Sequence, residues 1–259
     1  MNDTVSTETT RAPLIAHLLE FRRRFIIALI ALLAGFAVSY LYVQEIYQFL
    51  VRPLAESYVD PEQKRLIYTS LVEAFFTYVR LSFFAGFFLA FPVIAGQLYL
   101  FLAPGLYKQE KHVLLPYIIV SPLLFLAGAA LAYYYVFPMA WSFFVSFESI
   151  GVPQGLRIEL DAKVSEYLTL VMQLLIAFGL AFQLPVVLTM LVRVGLVAST
   201  TLARGRKYAL LCIVIAAAIL TPPDVISQIA LSIPLYLLYE LSILSCRMIE
   251  KRQEGEITL

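Results

Sequence analysis

Charged side chains are scarce in this chain. They make up 14% of its 259 residues, while apolar side chains reach 61%; a typical soluble domain has about 25% charged residues. The formal net charge is only +1. This composition excludes a disordered protein, a nucleic-acid-binding protein and an ordinary cytosolic enzyme. Cysteine occurs twice, at Cys212 and Cys246, without metal-binding or redox spacing, so no disulfide framework is predicted.

Catalytic motifs are missing as well. The sequence contains no HExxH, no GxSxG, no GxxxxGK[ST] and no pair of aspartates within an apolar run. The two histidines, His17 and His112, both lie at the borders of apolar runs. We therefore expect neither an enzyme nor a cofactor- or metal-binding protein.

The most prominent feature of the sequence is a set of long runs without charged residues. A helix needs roughly 20 apolar residues to cross about 30 Å of hydrocarbon. The runs cover residues 25–43, 81–106, 113–147, 167–192, 208–223 and 225–239. The last two are short, so they form either a re-entrant hairpin or two spans in a locally thinned bilayer. We favour six spans in an all-α polytopic membrane protein. Eight prolines in or beside the runs predict kinked helices around a concavity.

The distribution of basic residues predicts the orientation. With six spans, 13 lysines and arginines lie on the side of both termini and 5 lie on the other side. This bias places both termini in the cytoplasm. We divide the chain into a cytoplasmic segment 1–20, a transmembrane domain 21–249 and a cytoplasmic tail 250–259. The two longer outward loops are expected to form an outer cap.

Glu20 and Glu110 are singled out among the acids on the side where orientation needs positive charge. Glu20 lies within HLLEFRRR at 17–24, and Glu110 lies in the first cytoplasmic loop. Glu20 also has the i, i+4 spacing for an ion pair with Arg24, and Glu110 can be a solvated loop carboxylate. Alternatively, the two carboxylates together bind a cationic ligand, because a carboxylate matches a guanidinium bidentately.

Five segments carry a resemblance to a known family. They are HLLEFRRR at 17–24, the run from Pro92 through Gln97 to FLAPGLYKQEK at 101–111, FPMA at 137–140, FQLPV at 182–186 and LTPPDVISQ at 220–228. Their order and spacing resemble the core receptor subunit of the twin-arginine protein translocase, the TatC family, over residues 14–247.

The resemblance implies a function and partners. Such a protein recognises signal peptides with paired arginines and helps to export folded proteins across the cell inner membrane, using the protonmotive force. Its partners would be those signal peptides, single-span subunits of the TatA/TatB type, further copies of the chain and membrane lipid, with no nucleic acid. An ion-coupled secondary transporter is the alternative, although it needs an ionisable group near the midplane and the mid-span positions hold amides.

The resemblance also implies site residues. For signal-peptide binding these are Glu20, Arg22, Phe101, Pro104, Leu106, Tyr107 and Glu110. For docking of a partner helix they are Thr221 and Gln228, near Asp224, which is expected to cap the sixth helix. Gln183 stands where many family members carry a glutamate facing a lipid-exposed groove, and an amide cannot ionise there. A packing hydrogen bond would also explain each intramembrane amide taken singly. These amides are Gln97, Gln173, Gln183 and Gln228.

Three residues are assigned to the outer cap. Pro53 matches a position needed for function in the family, and ending a helix would also explain it. Glu73 and Arg80 lie two helical turns apart. One possibility is that they form a buried ion pair that stabilises the cap. The other is that Arg80 is independent of Glu73 and extends to the membrane–water interface.

Overall fold

The computed structural model describes residues 8–57, 66–102, 111–146, 163–220 and 225–257. Every named element in these ranges is helical, and an isolated β-bridge joins Ile67 to Lys163. The helices are α1 (Glu8–Leu41), α2 (Val43–Ser57), α3 (Glu73–Leu102), α4 (Lys111–Leu131), a π-helical turn (Ala132–Val136), α5 (Phe137–Ser146), α6 (Val164–Ala181), α7 (Leu184–Arg193), α8 (Ser199–Arg204), α9 (Arg206–Leu220) and α10 (Val225–Ile257).

Within the described ranges, five helical stretches are long and apolar enough to cross a bilayer. They are His17–Leu41, Glu73–Phe101, Leu115–Ser142, Val164–Arg193 and Gln228–Lys251. The predicted all-α polytopic class is thereby confirmed. Helix α9, the predicted fifth span, has 15 residues and is therefore only about 22 Å long.

The prediction that the last helix is short was wrong. Helix α10 has 33 residues, whereas the charge-free run ends before Glu240. Glutamate is a good helix former and does not end a helix, so α10 continues through Glu240 into its polar C-terminal part. Arg206, at the start of α9, donates to both oxygens of the Glu240 carboxylate, over 2.7 and 2.9 Å.

The helices group into two compact units. The first comprises Met1–Leu41 and Ser82–Pro122, and the second comprises Tyr42–Leu81 and Leu123–Leu259. In the first unit α1 and α3 run antiparallel and cross at two glycines. A Cβ atom on Gly35 would lie 2.6 Å from the Gly86 carbonyl oxygen, and one on Gly86 would lie 2.5 Å from the Phe36 nitrogen. Only glycine permits this backbone approach.

In the second unit the apolar run 167–192 is divided between two helices. Helix α6 ends at Ala181, and α7 begins at Leu184 with Pro185 in its first turn. Pro185 lacks the N–H that a continuous helix would use and fits the first turn of a new one. A kink at this proline was predicted. Helix α6 packs against α4 at Gly128 and Gly179, where an added Cβ would clash with Phe178 and Phe125.

Candidate functional site

The site centres on the point where the N-terminal part of α1 meets the C-terminal end of α3, inside the first unit. The His17 and Phe101 rings stack with centroids 4.4 Å apart, and Phe21 meets Phe101 edge-on at 5.4 Å. Residues 17, 20, 21 and 24 share one face of α1 because three- and four-residue spacings are neighbours on a helix. Glu20 therefore lies beside these rings. We call His17, Glu20, Phe21, Arg24 and Phe101 the His17–Phe101 surface.

Glu20 is paired with Arg24. The Glu20 Oε1 atom accepts hydrogen bonds from Arg24 Nε at 3.0 Å and Arg24 Nη2 at 2.6 Å. The two side chains keep 31% and 23% of their surface exposed. The i, i+4 pair that the spacing permits is therefore present. The carboxylate is nevertheless at the surface of the protein.

The other predicted signal-peptide positions divide into two groups. Arg22 is exposed and, two positions from Glu20, lies on a different face of α1. Four lie outside the described residues: Pro104, Leu106, Tyr107 and Glu110. Sequence reasoning did not assign roles to His17 and Phe21 here, although their spacing around Glu20 in HLLEFRRR was a usable signal.

Among the predicted docking residues, Gln228 makes a contact between helices. Its amide nitrogen donates to the Val214 carbonyl oxygen at 3.3 Å, joining α10 to α9. Thr221 and Asp224 lie outside the described residues. Gln183, in the turn before α7, is buried at 8% exposure.

The remaining intramembrane amides differ from each other. Gln97 is half-buried on α3, whereas Gln173 is exposed on α6. The exposed amide does not fit the interpretation of each such group as a packing hydrogen bond.

Two contacts that sequence reasoning missed hold the C-terminal part of α10. Glu240 accepts from Arg206, and Tyr236 donates to it at 3.1 Å. Glu250 accepts from both the backbone N–H and the hydroxyl of Ser199, at the start of α8. Glu240 was the visible signal, since it interrupts an otherwise apolar helix. Among the described residues, no three His, Cys, Asp or Glu side chains come together as metal ligands.

Pro53 is buried inside α2, and the helix continues to Ser57. The interpretation that Pro53 ends a helix was therefore wrong. Proline has no N–H, so the carbonyl four residues earlier, that of Phe49, lacks its helical donor. The Tyr133 hydroxyl donates to this oxygen at 2.7 Å, and Tyr167 donates to the next carbonyl, of Leu50, at 2.9 Å. These bonds attach α2 to the π-helical turn and to α6.

Glu73 joins the start of α3 to the start of α6. Its Oε1 accepts from the Ser165 hydroxyl at 2.5 Å, and its Oε2 accepts from the Thr69 N–H at 2.8 Å. Arg80 is exposed two turns further along. The buried Glu73–Arg80 pair considered above is therefore not the arrangement seen, since the Glu73 carboxylate is bound to Ser165 and Thr69.

A tyrosine cluster covers the same end of the second unit. The Tyr47 and Tyr78 rings lie 6.1 Å apart, and the Tyr47 hydroxyl is hydrogen-bonded to that of Tyr68. Burial raises the pKa of Tyr47 to about 12, so the phenol stays neutral. This cluster fastens α2 to the segment before α3.

The chain matches known proteins over most of its length. The sequence profile described as Sec-independent protein translocase protein (TatC) matches residues 16–234. The chain belongs to the TatC family. It is 47% identical over 247 residues to the Sec-independent protein translocase protein TatC of Magnetococcus marinus, covering 95% of this chain and 88% of that protein. It is 36% identical over 243 residues to the TatC of Escherichia coli K12, covering 94% and 91%.

A solved structure agrees with this assignment. A crystal structure of the twin-arginine translocase receptor TatC superposes with a TM-score of 0.75 at 36% identity, covering 90% of this chain and 99% of that one. This TatC-family chain is accordingly a multi-pass membrane protein of a protein translocase, and not an enzyme. The alternative of a secondary transporter gains no support.

Proposed function

We propose that this TatC-family chain is the signal-peptide receptor of a twin-arginine translocase and that the His17–Phe101 surface receives an arginine of the signal peptide. The observation that carries the proposal is the position of Glu20, a half-buried carboxylate at the protein surface, on the same helix face as two rings that contact Phe101. A carboxylate binds a guanidinium through two parallel hydrogen bonds. Aromatic faces beside it add cation–π attraction.

The geometry favours arginine over lysine. A guanidinium is planar and offers five donors, so it can bind the carboxylate and lie against a ring at the same time. An ammonium is a compact, strongly hydrated charge without a flat face. In this proposal Glu110 binds the second arginine, as the family resemblance implies. Arg22, Pro104, Leu106 and Tyr107 complete the binding surface.

The proposal extends to topology and partners. The protein lies in the cell inner membrane, crosses it six times and has both termini in the cytoplasm. This topology places the His17–Phe101 surface on the cytoplasmic side, where the cargo arrives. Single-span subunits of the TatA/TatB type dock near Thr221, Asp224 and Gln228, and the protonmotive force supplies the energy. The bond from Gln228 to α9 supports this docking site because it keeps the paired helices α9 and α10 together as one surface. Further copies of the chain complete the assembly.

Photo-crosslinking tests the proposal. A peptide with paired arginines and a photoreactive side chain beside them is incubated with the purified full chain, in parallel with a peptide carrying paired lysines. We expect crosslinks to α1 or to the end of α3 with the arginine peptide, and weaker ones with the lysine peptide. Glu20→Ala combined with Glu110→Ala should reduce the arginine crosslinks to the level of the lysine peptide.

The control variant is Glu166→Ala, which removes an exposed carboxylate from the start of α6 in the second unit. It should leave crosslinking unchanged. Equal crosslinking of both peptides, in the wild type and in the double variant alike, would contradict the receptor function. Solute uptake by vesicles that contain this chain alone would support the transporter instead.

A further inference from the structure

The Glu20 carboxylate is already bound to a guanidinium of its own chain. Both hydrogen bonds from Arg24 reach one atom, Glu20 Oε1, at 2.6 and 3.0 Å. A signal-peptide arginine that binds the carboxylate through both oxygens therefore meets one oxygen, Oε1, that is occupied and one, Oε2, to which Arg24 makes no bond. We propose that Arg24 is an internal competitor for Glu20 that sets the affinity threshold of the receptor. This inference rests on the proposed function.

A second ion pair of the same chain is more exposed to water than the Glu20–Arg24 pair. Arg52 and Glu56 have the same i, i+4 spacing and a similar 2.7 Å contact, but their side chains are 71% and 64% exposed. Glu20 and Arg24 are 31% and 23% exposed. Less surrounding water means weaker screening of the pair. The Glu20–Arg24 order, with the acid nearer the helix N-terminus, is also the favourable one.

Binding is then an exchange of partners. An incoming guanidinium that takes Oε1 releases Arg24, whose side chain turns to solvent with its charge hydrated. An incoming ammonium is a compact charge that can bind Oε2 alone and leave Arg24 in place. Arg24 therefore lowers the affinity for the arginine ligand more than the affinity for the lysine ligand. It raises the threshold for bidentate binding of the carboxylate.

The neighbouring residue provides a matched control. Arg23 precedes Arg24 in the sequence and is exposed. It lies three positions from Glu20, and the bonds of Glu20 go to Arg24. Arg23→Gln and Arg24→Gln remove the same charge at nearly the same place. General repulsion of a cationic peptide is relieved equally by both variants, whereas the acceptor atom is released by Arg24→Gln alone.

The experiment measures the affinity of the purified full chain in lipid nanodiscs for two fluorescent peptides, one with paired arginines and one with paired lysines. We expect Arg24→Gln to bind the arginine peptide about two- to fivefold more tightly than Arg23→Gln does, the range set by pairs of this kind. The gain for the lysine peptide should be smaller, so the arginine-to-lysine ratio should rise above that of the wild type. Arg24→Lys, which keeps the charge but loses the planar fork, should give a smaller gain.

Three results would overturn the inference. Equal affinities of Arg24→Gln and Arg23→Gln would mean that only net charge matters. Weaker binding by Arg24→Gln would mean that Arg24 orients Glu20 for the ligand. An arginine-to-lysine ratio that does not rise in Arg24→Gln would mean that binding of the arginine does not require the release of Arg24. Failure of the proposed function is a separate outcome, namely a wild type that binds both peptides equally.

Discussion

The hydroxyl of Tyr133 donates a 2.7 Å hydrogen bond to the carbonyl oxygen of Phe49, the acceptor that Pro53 leaves without its helical donor. Their rings also stack, with centroids 4.3 Å apart. Tyr133 lies in the π-helical turn Ala132–Val136, and such turns often redirect a side chain at a functional position. Pro53 in α2 frees the Phe49 carbonyl oxygen, and the π-helical turn after α4 supplies the tyrosine that binds it.

A double-mutant cycle tests this dependence. Tyr133→Phe should destabilise the wild type by about 0.5–1.5 kcal/mol, because it removes the hydroxyl that donates to the Phe49 carbonyl oxygen. In a Pro53→Ala background the alanine N–H supplies the missing helical bond, so the same change should cost clearly less. The midpoint of thermal unfolding of the purified protein in detergent measures both effects. The exposed neighbour Tyr134, changed to Phe, is the control, and equal losses in the two backgrounds would refute the coupling.

The crossing of α1 and α3 should not tolerate a side chain at its centre. Gly86→Ala places a Cβ 2.5 Å from the Phe36 backbone nitrogen, and a backbone cannot yield as a flexible side chain does. We expect a loss of about 1–3 kcal/mol or more and a lower unfolding midpoint. Gly96→Ala on the same helix is the matched control, since its Cβ would make an ordinary 3.7 Å contact with Ile118. Similar midpoints for the two variants would show that the crossing is looser than described.

Removal of the Glu73 carboxylate should loosen the start of α6. Glu73→Ala deletes the acceptor of the Ser165 hydroxyl and of the Thr69 N–H. The amide of Val164, which donates to the Ile67 carbonyl oxygen at 3.2 Å, should then exchange with deuterium faster, because that bond lies beside the lost contact. Hydrogen exchange followed by mass spectrometry measures this. Glu45→Ala, at the exposed first turn of α2, should leave the exchange unchanged, and an unaltered rate in Glu73→Ala would contradict the role given to Glu73.

Sequence reasoning was sufficient for the features that depend on composition. Apolar runs predicted the positions of the long helical stretches, and the resemblance of five short segments predicted the family. Sequence reasoning failed for the length of α10 because the charge-free run ends before Glu240, whereas a glutamate does not end a helix. The pairing of Glu240 with Arg206, a residue 34 positions away, is visible only once the helices are packed.

In the candidate site, too, some features could be predicted from the sequence and others could not. Glu20 stood out because an acid opposed the charge bias, and its pairing with Arg24 followed from helical spacing. The stacking of His17 on Phe101 and the glycine crossing of α1 and α3 join residues at least 50 positions apart. No local pattern specifies which faces of two long apolar helices meet, so these contacts needed the folded chain.

The central claim is that Glu20 distinguishes arginine from lysine in a signal peptide. The most direct measurement is a cycle across the interface, with the affinities of the arginine and lysine peptides determined for the wild type and for Glu20→Gln in nanodiscs. We predict that the wild type prefers the arginine peptide by about tenfold, the value of one charge-assisted bond near 1.4 kcal/mol, and that Glu20→Gln loses most of this preference. An arginine preference of the same size in Glu20→Gln would contradict the account.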